Sequence, residues 1–184
     1  MKSTMKKYFF VLVLAALVTS GVFAQYAPAV ADNNLFINAG VGYGPFNSIY
    51  KLAVLPITGS VDYKLPIGLP ITVGASVTYT SWTWDYSSYS TSYTYTNIGI
   101  GARAMYHVNL LDRLDTYAGG TIGYVMQSAK VKTDGQETST DGNPFFLYSA
   151  EGGVRYFFTN LIGAYIEGGY GSLLYVSAGL TIKF

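Results

Sequence analysis

The residues best suited to chemistry are few and lie far apart. His107 is the sole histidine, cysteine is absent, and Gly99-x-Gly101-x-x-Ala104 formally matches a dinucleotide-binding fingerprint. A histidine acts as a general base when an acid or a hydroxyl lies within hydrogen-bond reach. His107 is followed by Val108-Asn109 and has no serine in its local pattern, so the expected role is a histidine hydrogen-bonded to Asp115 or to a turn carbonyl. The glycine fingerprint works only where a strand ends and a helix begins inside a βαβ unit. Here an alternation of apolar and small residues runs unbroken to Val108, which removes that context. Lack of cysteine rules out disulfide staples, thiolate zinc sites and cysteine nucleophiles. The stretch QSAKVKTDGQETSTDGNP carries Lys130, Lys132, Asp134, Glu137 and Asp141, but its acids lack the spacing of a calcium loop. Its two Asp-Gly pairs form turns, and it reads as a solvated outer loop. No catalytic, cofactor-binding or metal-binding residue is assigned, and the chain reads as a non-enzyme.

The elements that must position these residues follow a leader. Lys2, Lys6 and Lys7 precede an apolar run from Tyr8 to Val18, and small residues end at Val22-Phe23-Ala24. That is the pattern of a cleaved secretory signal peptide over residues 1–24, too short in its apolar part for a spanning helix. Its removal changes the net charge from +1 to −2, with eight bases against ten acids. No basic excess is left to attract nucleic acid. Residues 25–33 are expected to form a periplasmic N-terminal segment, and residues 34–184 a single domain.

Across that domain, helical spacing fails and strict alternation succeeds, which argues for strands. Leu35, Ile37, Ala39, Val41 and Tyr43 share a face, as do Ile71, Val73, Ala75, Val77 and Tyr79, and Ile98, Ile100, Ala102, Ala104 and Tyr106. The same pattern recurs in eight segments, the second starting near Ile57 because Pro56 cannot donate to a ladder. The opposite face holds glycine, serine and threonine together with Asp62, Lys64, Arg103, Asp115, Glu151, Arg155, Glu167 and Lys183. Small residues and balanced charges suit a narrow, crowded interior in which buried charges are paired. Arg103 and Arg155 are expected to pair with Glu151 and Glu167, with Tyr117, Phe157, Tyr165 and Tyr175 also pointing inward. The apolar face then meets lipid. Threading the strands up and down puts Tyr43, Tyr79, Tyr124, Tyr148 and Tyr170 at the outer ends and Tyr63, Tyr106, Tyr156, Phe158 and Phe184 at the inner ends, as two aromatic girdles. The expected fold is all-β: an eight-stranded antiparallel up-and-down transmembrane β-barrel.

With that pattern in place, the chain resembles the small OmpA/OmpX-type outer-membrane β-barrels of Gram-negative-type bacteria, over its whole mature length. The ending LYVSAGLTIKF carries the resemblance most specifically, with terminal Phe184 preceded at alternate positions by Ile182, Leu180, Ala178 and Val176. The phrase YHVNLLDRLDTYAGGTIGY also looks like an inner turn and following strand of such proteins. The resemblance implies that Phe184 belongs to the signal read by the barrel-assembly machinery. It further implies a bacterial outer-membrane location, outer-membrane lipid as the surroundings, and roles such as adhesion or resistance to host defences.

One stretch remains unaccounted for by the barrel. Continuing the parity of the third and fourth strands through TYTSWTWDYSSYSTSYTYTN puts Trp82, Trp84, Tyr93 and Tyr95 on the interior-side face, with Trp82 opposite Tyr95 and Trp84 opposite Tyr93. Such cross-strand aromatic pairs stabilise a hairpin by roughly 0.2–1 kcal/mol each. The hairpin serves either as a rigid lid over the mouth or as an adhesive surface for a ligand the sequence does not name. The expected function is a monomeric, non-enzymatic envelope barrel that binds no cofactor and presents this hairpin. The alternative is a narrow passive pore.

Overall fold

The computed structural model describes residues 29–31, 34–45, 51–86, 91–111, 113–133 and 136–184. The expected signal peptide lies outside the described residues, as do residues 25–28 and Asp134. Nine strands follow in chain order: β1 (Leu35–Tyr43), β2 (Lys51–Lys64), β3 (Ile71–Tyr86), β4 (Thr91–Leu111), β5 (Leu114–Thr133), β6 (Gln136–Asp141), β7 (Phe145–Phe157), β8 (Ile162–Gly171) and β9 (Val176–Lys183). All pairings are antiparallel, and β1 pairs with both β2 and β9. Strand β5 pairs with β4 on one side and β7 on the other, so eight strands close into a barrel and β6 lies beside the upper part of β5. Closure leaves no barrel edge with unpaired backbone groups, which an apolar solvent would penalise heavily. The seam is locked by the two ends of the barrel: Leu35 N donates to Phe184 O at 3.0 Å and Phe184 N to Leu35 O at 2.8 Å.

Burial runs opposite to that of a water-soluble protein. Ile122, Leu180 and Tyr170 are 63%, 60% and 65% exposed, while Asp62, Asp115 and Arg155 are at most 1% exposed. Apolar side chains turned outward at every level gain nothing in water, so this surface requires hydrocarbon around it. The aromatic residues expected at the two girdles are all exposed. At the inner end the β2–β3 turn uses Gly68 with φ of 73°, a left-handed value open to glycine without steric cost.

Three expectations change. Strand β2 does not start at Ile57 but runs from Lys51 through Pro56, because register shifts between Leu52 and Val54 and between Val54 and Ile57 put the proline in a bulge. The stretch read as a solvated loop is largely a hairpin: β5 continues to Thr133 and β6 pairs back from Thr133↔Gln136 to Ser128↔Asp141. Lys130 and Glu137 bridge it at 2.9 Å. Tyr175 does not point inward. It lies just before β9, where alternation no longer applies, and its ring stacks on Tyr170 at 5.9 Å.

Candidate functional site: the barrel interior and the aromatic extension

Polar side chains at the inner end tie four strands together. Alternation turns Thr72 of β3, His107 of β4, Asp115 of β5 and Arg155 of β7 inward, and the registers bring them to one level. Thr72 Oγ1 lies 2.9 Å from His107 Nε2, and His107 Nδ1 lies 2.9 Å from Asp115 Oδ1. Nδ1–H donates to the carboxylate, and in a neutral ring Nε2 accepts from the threonine hydroxyl. Arg155 Nη1 is 3.4 Å from Asp115 Oδ2, and its guanidinium lies over Phe36 at 4.4 Å and Tyr117 at 4.9 Å. Hydroxyl, imidazole and carboxylate in this order resemble a nucleophile, its base and the group that orients the base. Thr72, His107 and Asp115 are 1%, 2% and 0% exposed, however, and the imidazole is hemmed in by Phe36 and Tyr117. Among the described residues the hydroxyl is enclosed, and the constellation cross-links the wall.

Below it the inner mouth is filled. Ala29 and Val30 of the N-terminal segment pack on Phe36 and Phe157. Lys183 Nζ donates to Ala29 O at 3.0 Å and sits 4.4 Å from the centre of the Phe157 ring. Lys64 Nζ donates to the turn carbonyls of Leu65 and Leu69 at 3.0 and 2.9 Å.

At mid-depth Arg103 joins two acids from opposite parts of the wall. Its Nε is 3.1 Å from Asp62 Oδ1 and its Nη2 donates to Glu167 Oε1 at 2.9 Å. Tyr117 and Ser177 also donate to Glu167, at 2.8 and 3.4 Å, and Asn38 and Ser60 donate to Asp62 at 2.9 and 3.2 Å. The expected pairing is thus half right. Arg103 takes Glu167, but Arg155 takes Asp115, its direct cross-strand partner. Glu151 accepts a hydrogen bond from Thr121 at 3.0 Å and has no ion pair among the described residues.

Above this network the outer closure is apolar. Leu173, in the turn between β8 and β9, folds inward, is 2% exposed and packs with Val125 and Leu147, flanked by Phe145. Gly99 makes room for it, since a Cβ there would lie 2.7 Å from Leu173 Cδ1. The turn is pinned from both sides: Ser172 N donates to Tyr148 O at 2.9 Å and Tyr175 N to Tyr43 O at 2.8 Å. Beneath the leucines lies a cavity of about 30 Å³ lined by Ser76, Arg103, Thr121, Glu151 and Glu167. That is room for about two water molecules.

The remaining candidate residues stand above the barrel. The β1–β2 pairing ends at Val41↔Ile57 and the β7–β8 pairing at Ser149↔Gly171, whereas β3 and β4 stay paired to Tyr86↔Thr91, and β4 and β5 to Thr91↔Thr133. Strands β2 to β6 therefore rise as a curved sheet on one side of the mouth. Its inner face carries Trp82 opposite Tyr95 and Trp84 opposite Tyr93, with ring centroids 6.0 and 6.1 Å apart. Trp82 is 4% exposed and Trp84 40%. The other face has a hydroxyl ladder, with Ser81 and Thr96 3.3 Å apart and Thr83 and Thr94 3.1 Å apart. Lys51 and Asp85 bridge it at 2.8 Å, and this contact raises the lysine pKa and lowers that of the carboxyl. Lys130 likewise holds the Glu137 carboxyl below its usual range.

Comparison with protein-family models and with curated protein sequences gives no match. Among solved structures, a major outer membrane protein from Thermus thermophilus aligns over 84% of this chain and 100% of its own, with a TM-score of 0.50 and 13% identity. Ail, the attachment invasion locus protein of Yersinia pestis, aligns over 84% and 100%, at a TM-score of 0.48 and 16% identity. The N-terminal β-barrel domain of Pseudomonas aeruginosa OprF aligns over 83% and 98%, at 0.47 and 17%. The likeness is one of fold: a small, closed, eight-stranded outer-membrane type of barrel.

Two residues of this interior, Thr72 on its polar face and Leu173, have roles that alternation alone does not show. Thr72 stands 35 residues before His107, and only the β3–β4 register joins them. Leu173 falls in a turn, where alternation assigns no face.

Proposed function

We propose that this protein is a monomeric, non-enzymatic barrel of the bacterial outer membrane, exported by its N-terminal signal and contributing to envelope structure. On this reading it presents the aromatic hairpin of β3 and β4 for surface interaction. The observation that carries it is the one-sided extension, in which paired strands continue past the rest of the barrel and bear the Trp82–Tyr95 and Trp84–Tyr93 pairs. A cap would only add to apolar packing already at the mouth, where Leu173 lies inward against Leu147 and Val125. Large aromatic side chains with a polar tip are favoured where surfaces meet partners. Outer-membrane lipid surrounds the exposed band, and terminal Phe184, 59% exposed, serves the barrel-assembly machinery during insertion.

Intact cells carrying the protein should bind their target surface more than cells carrying the variant with Trp82, Trp84, Tyr93 and Tyr95 all replaced by alanine. Equal adhesion would leave the hairpin as a lid. A second reading, a narrow pore, draws on the polar cavity around Glu151 and Glu167. Against it stand the leucines above and Phe36, Phe157, Ala29 and Val30 below, since apolar constrictions exclude water.

A further inference from the structure

We infer that the aromatic face of the extension takes an uncharged saccharide. This deepens the surface-interaction reading and rests on it. Charge comes first. In the sequence of the extension Lys51, Lys130 and Lys132 stand against Asp85, Asp134, Glu137 and Asp141, so it carries no positive excess. Two of the lysines are held at 2.8 and 2.9 Å by their own acids, and Lys132 sits directly across from Glu137 in the ladder. A sulfated or phosphorylated partner needs cations free to meet it. All three lysines lie on the face opposite the rings, level with Thr83, Thr94 and Ser92, so the aromatic face itself presents no cation.

Size decides the rest. Trp84 is 40% exposed, Tyr93 and Tyr95 are half-buried and Trp82 is covered. Since a whole aromatic side chain presents about 150–250 Å², the accessible ring area is on the order of 200 Å². A stable protein partner buries roughly 800 Å² on each side, whereas a few sugar units match the smaller figure. The chemistry also fits. One face of a pyranose ring is lined with polarised C–H groups, which sit well on the negative face of an aromatic ring. Its hydroxyls lie at the rim, where the phenol groups of Tyr93 and Tyr95 can exchange hydrogen bonds with them. The Trp84–Tyr93 pair, joined across the ladder with ring centroids 6.1 Å apart, is held in place before any ligand arrives. Preorganised rings lose little entropy on binding.

The test uses the full protein in lipid vesicles, titrated with fluorescent maltohexaose, chitohexaose and a heparin hexasaccharide, in parallel with adhesion of intact cells. At least one uncharged oligosaccharide should bind, with little dependence on salt, and Trp84→Ala/Tyr93→Ala should weaken it by about tenfold or more. Lys130→Ala/Lys132→Ala should leave that binding unchanged. Far-UV circular dichroism of each variant confirms the barrel. Binding of heparin alone, falling with salt or lost with the lysines, overturns the saccharide inference. So does the absence of any sugar binding while adhesion still depends on the four rings, an outcome that leaves the surface-interaction reading intact. Adhesion indifferent to the rings would overturn that reading itself.

Discussion

Arg103→Met should lower the stability of the folded barrel by about 3–5 kcal/mol, the usual cost of breaking a buried ion pair from one side. Arg103 is 6% exposed and is the group that Asp62 and Glu167 share. Without it two acids remain in the same interior, with Glu151 lining the adjoining cavity. The loss comes chiefly from those stranded charges, so it should be reversible by removing them. The triple variant Arg103→Met/Asp62→Asn/Glu167→Gln should return to within about 1–2 kcal/mol of the parent, as exchanges of whole buried ion networks do. A single variant as stable as the parent, or a triple variant worse than the single, would show that the network does not hold the wall together. Both tryptophans stand in the extension, so their emission reports that sheet. Denaturant titration followed by far-UV circular dichroism, or by the mobility of unheated protein in gels, reports the barrel.

Asp115→Ala should be comparably damaging, at about 3–5 kcal/mol, for a different reason. Asp115 is fully buried and serves His107 and Arg155 at once. Its removal strands a guanidinium between Phe36 and Tyr117 and frees the imidazole to turn. Thr72→Val removes a single hydrogen bond to the ring and should cost only about 1–3 kcal/mol. That ordering belongs to a structural cross-link centred on the acid. Equal losses in the two variants would mean that the ion pair with Arg155 contributes little.

Much of this architecture could be read from alternation because the side-chain period of a strand is two and one face of a barrel wall must be apolar. Asp62, Arg103, Glu167 and the other interior charges were assigned to their face by parity alone, and they lie inward. The hairpin register followed from a single anchor, Tyr79↔Ile98, since two strands without a bulge keep step, and Trp82↔Tyr95 and Trp84↔Tyr93 result. What parity cannot give is depth across strands that a bulge or an unrecognised hairpin separates. Strands β5 and β7 are linked through β6 and the residues 142–144, so Arg155↔Asp115 could not be counted along the chain. Leu173 was hidden for a related reason. Its inward turn depends on the contacts of Ser172 with Tyr148 and of Tyr175 with Tyr43, on two different strands.

Native cysteine is absent, so single cysteines can map the protein on living cells without background. Lys132→Cys lies in the extension, Thr159→Cys in the inner turn between β7 and β8, and Ile122→Cys on the lipid-facing band. A membrane-impermeant maleimide applied to intact cells should label Lys132→Cys, should reach Thr159→Cys only after the outer membrane is opened, and should leave Ile122→Cys unlabelled in both conditions. Labelling of Thr159→Cys with protection of Lys132→Cys in intact cells, or ready labelling of Ile122→Cys, would contradict a lipid-embedded barrel that carries its aromatic sheet outside.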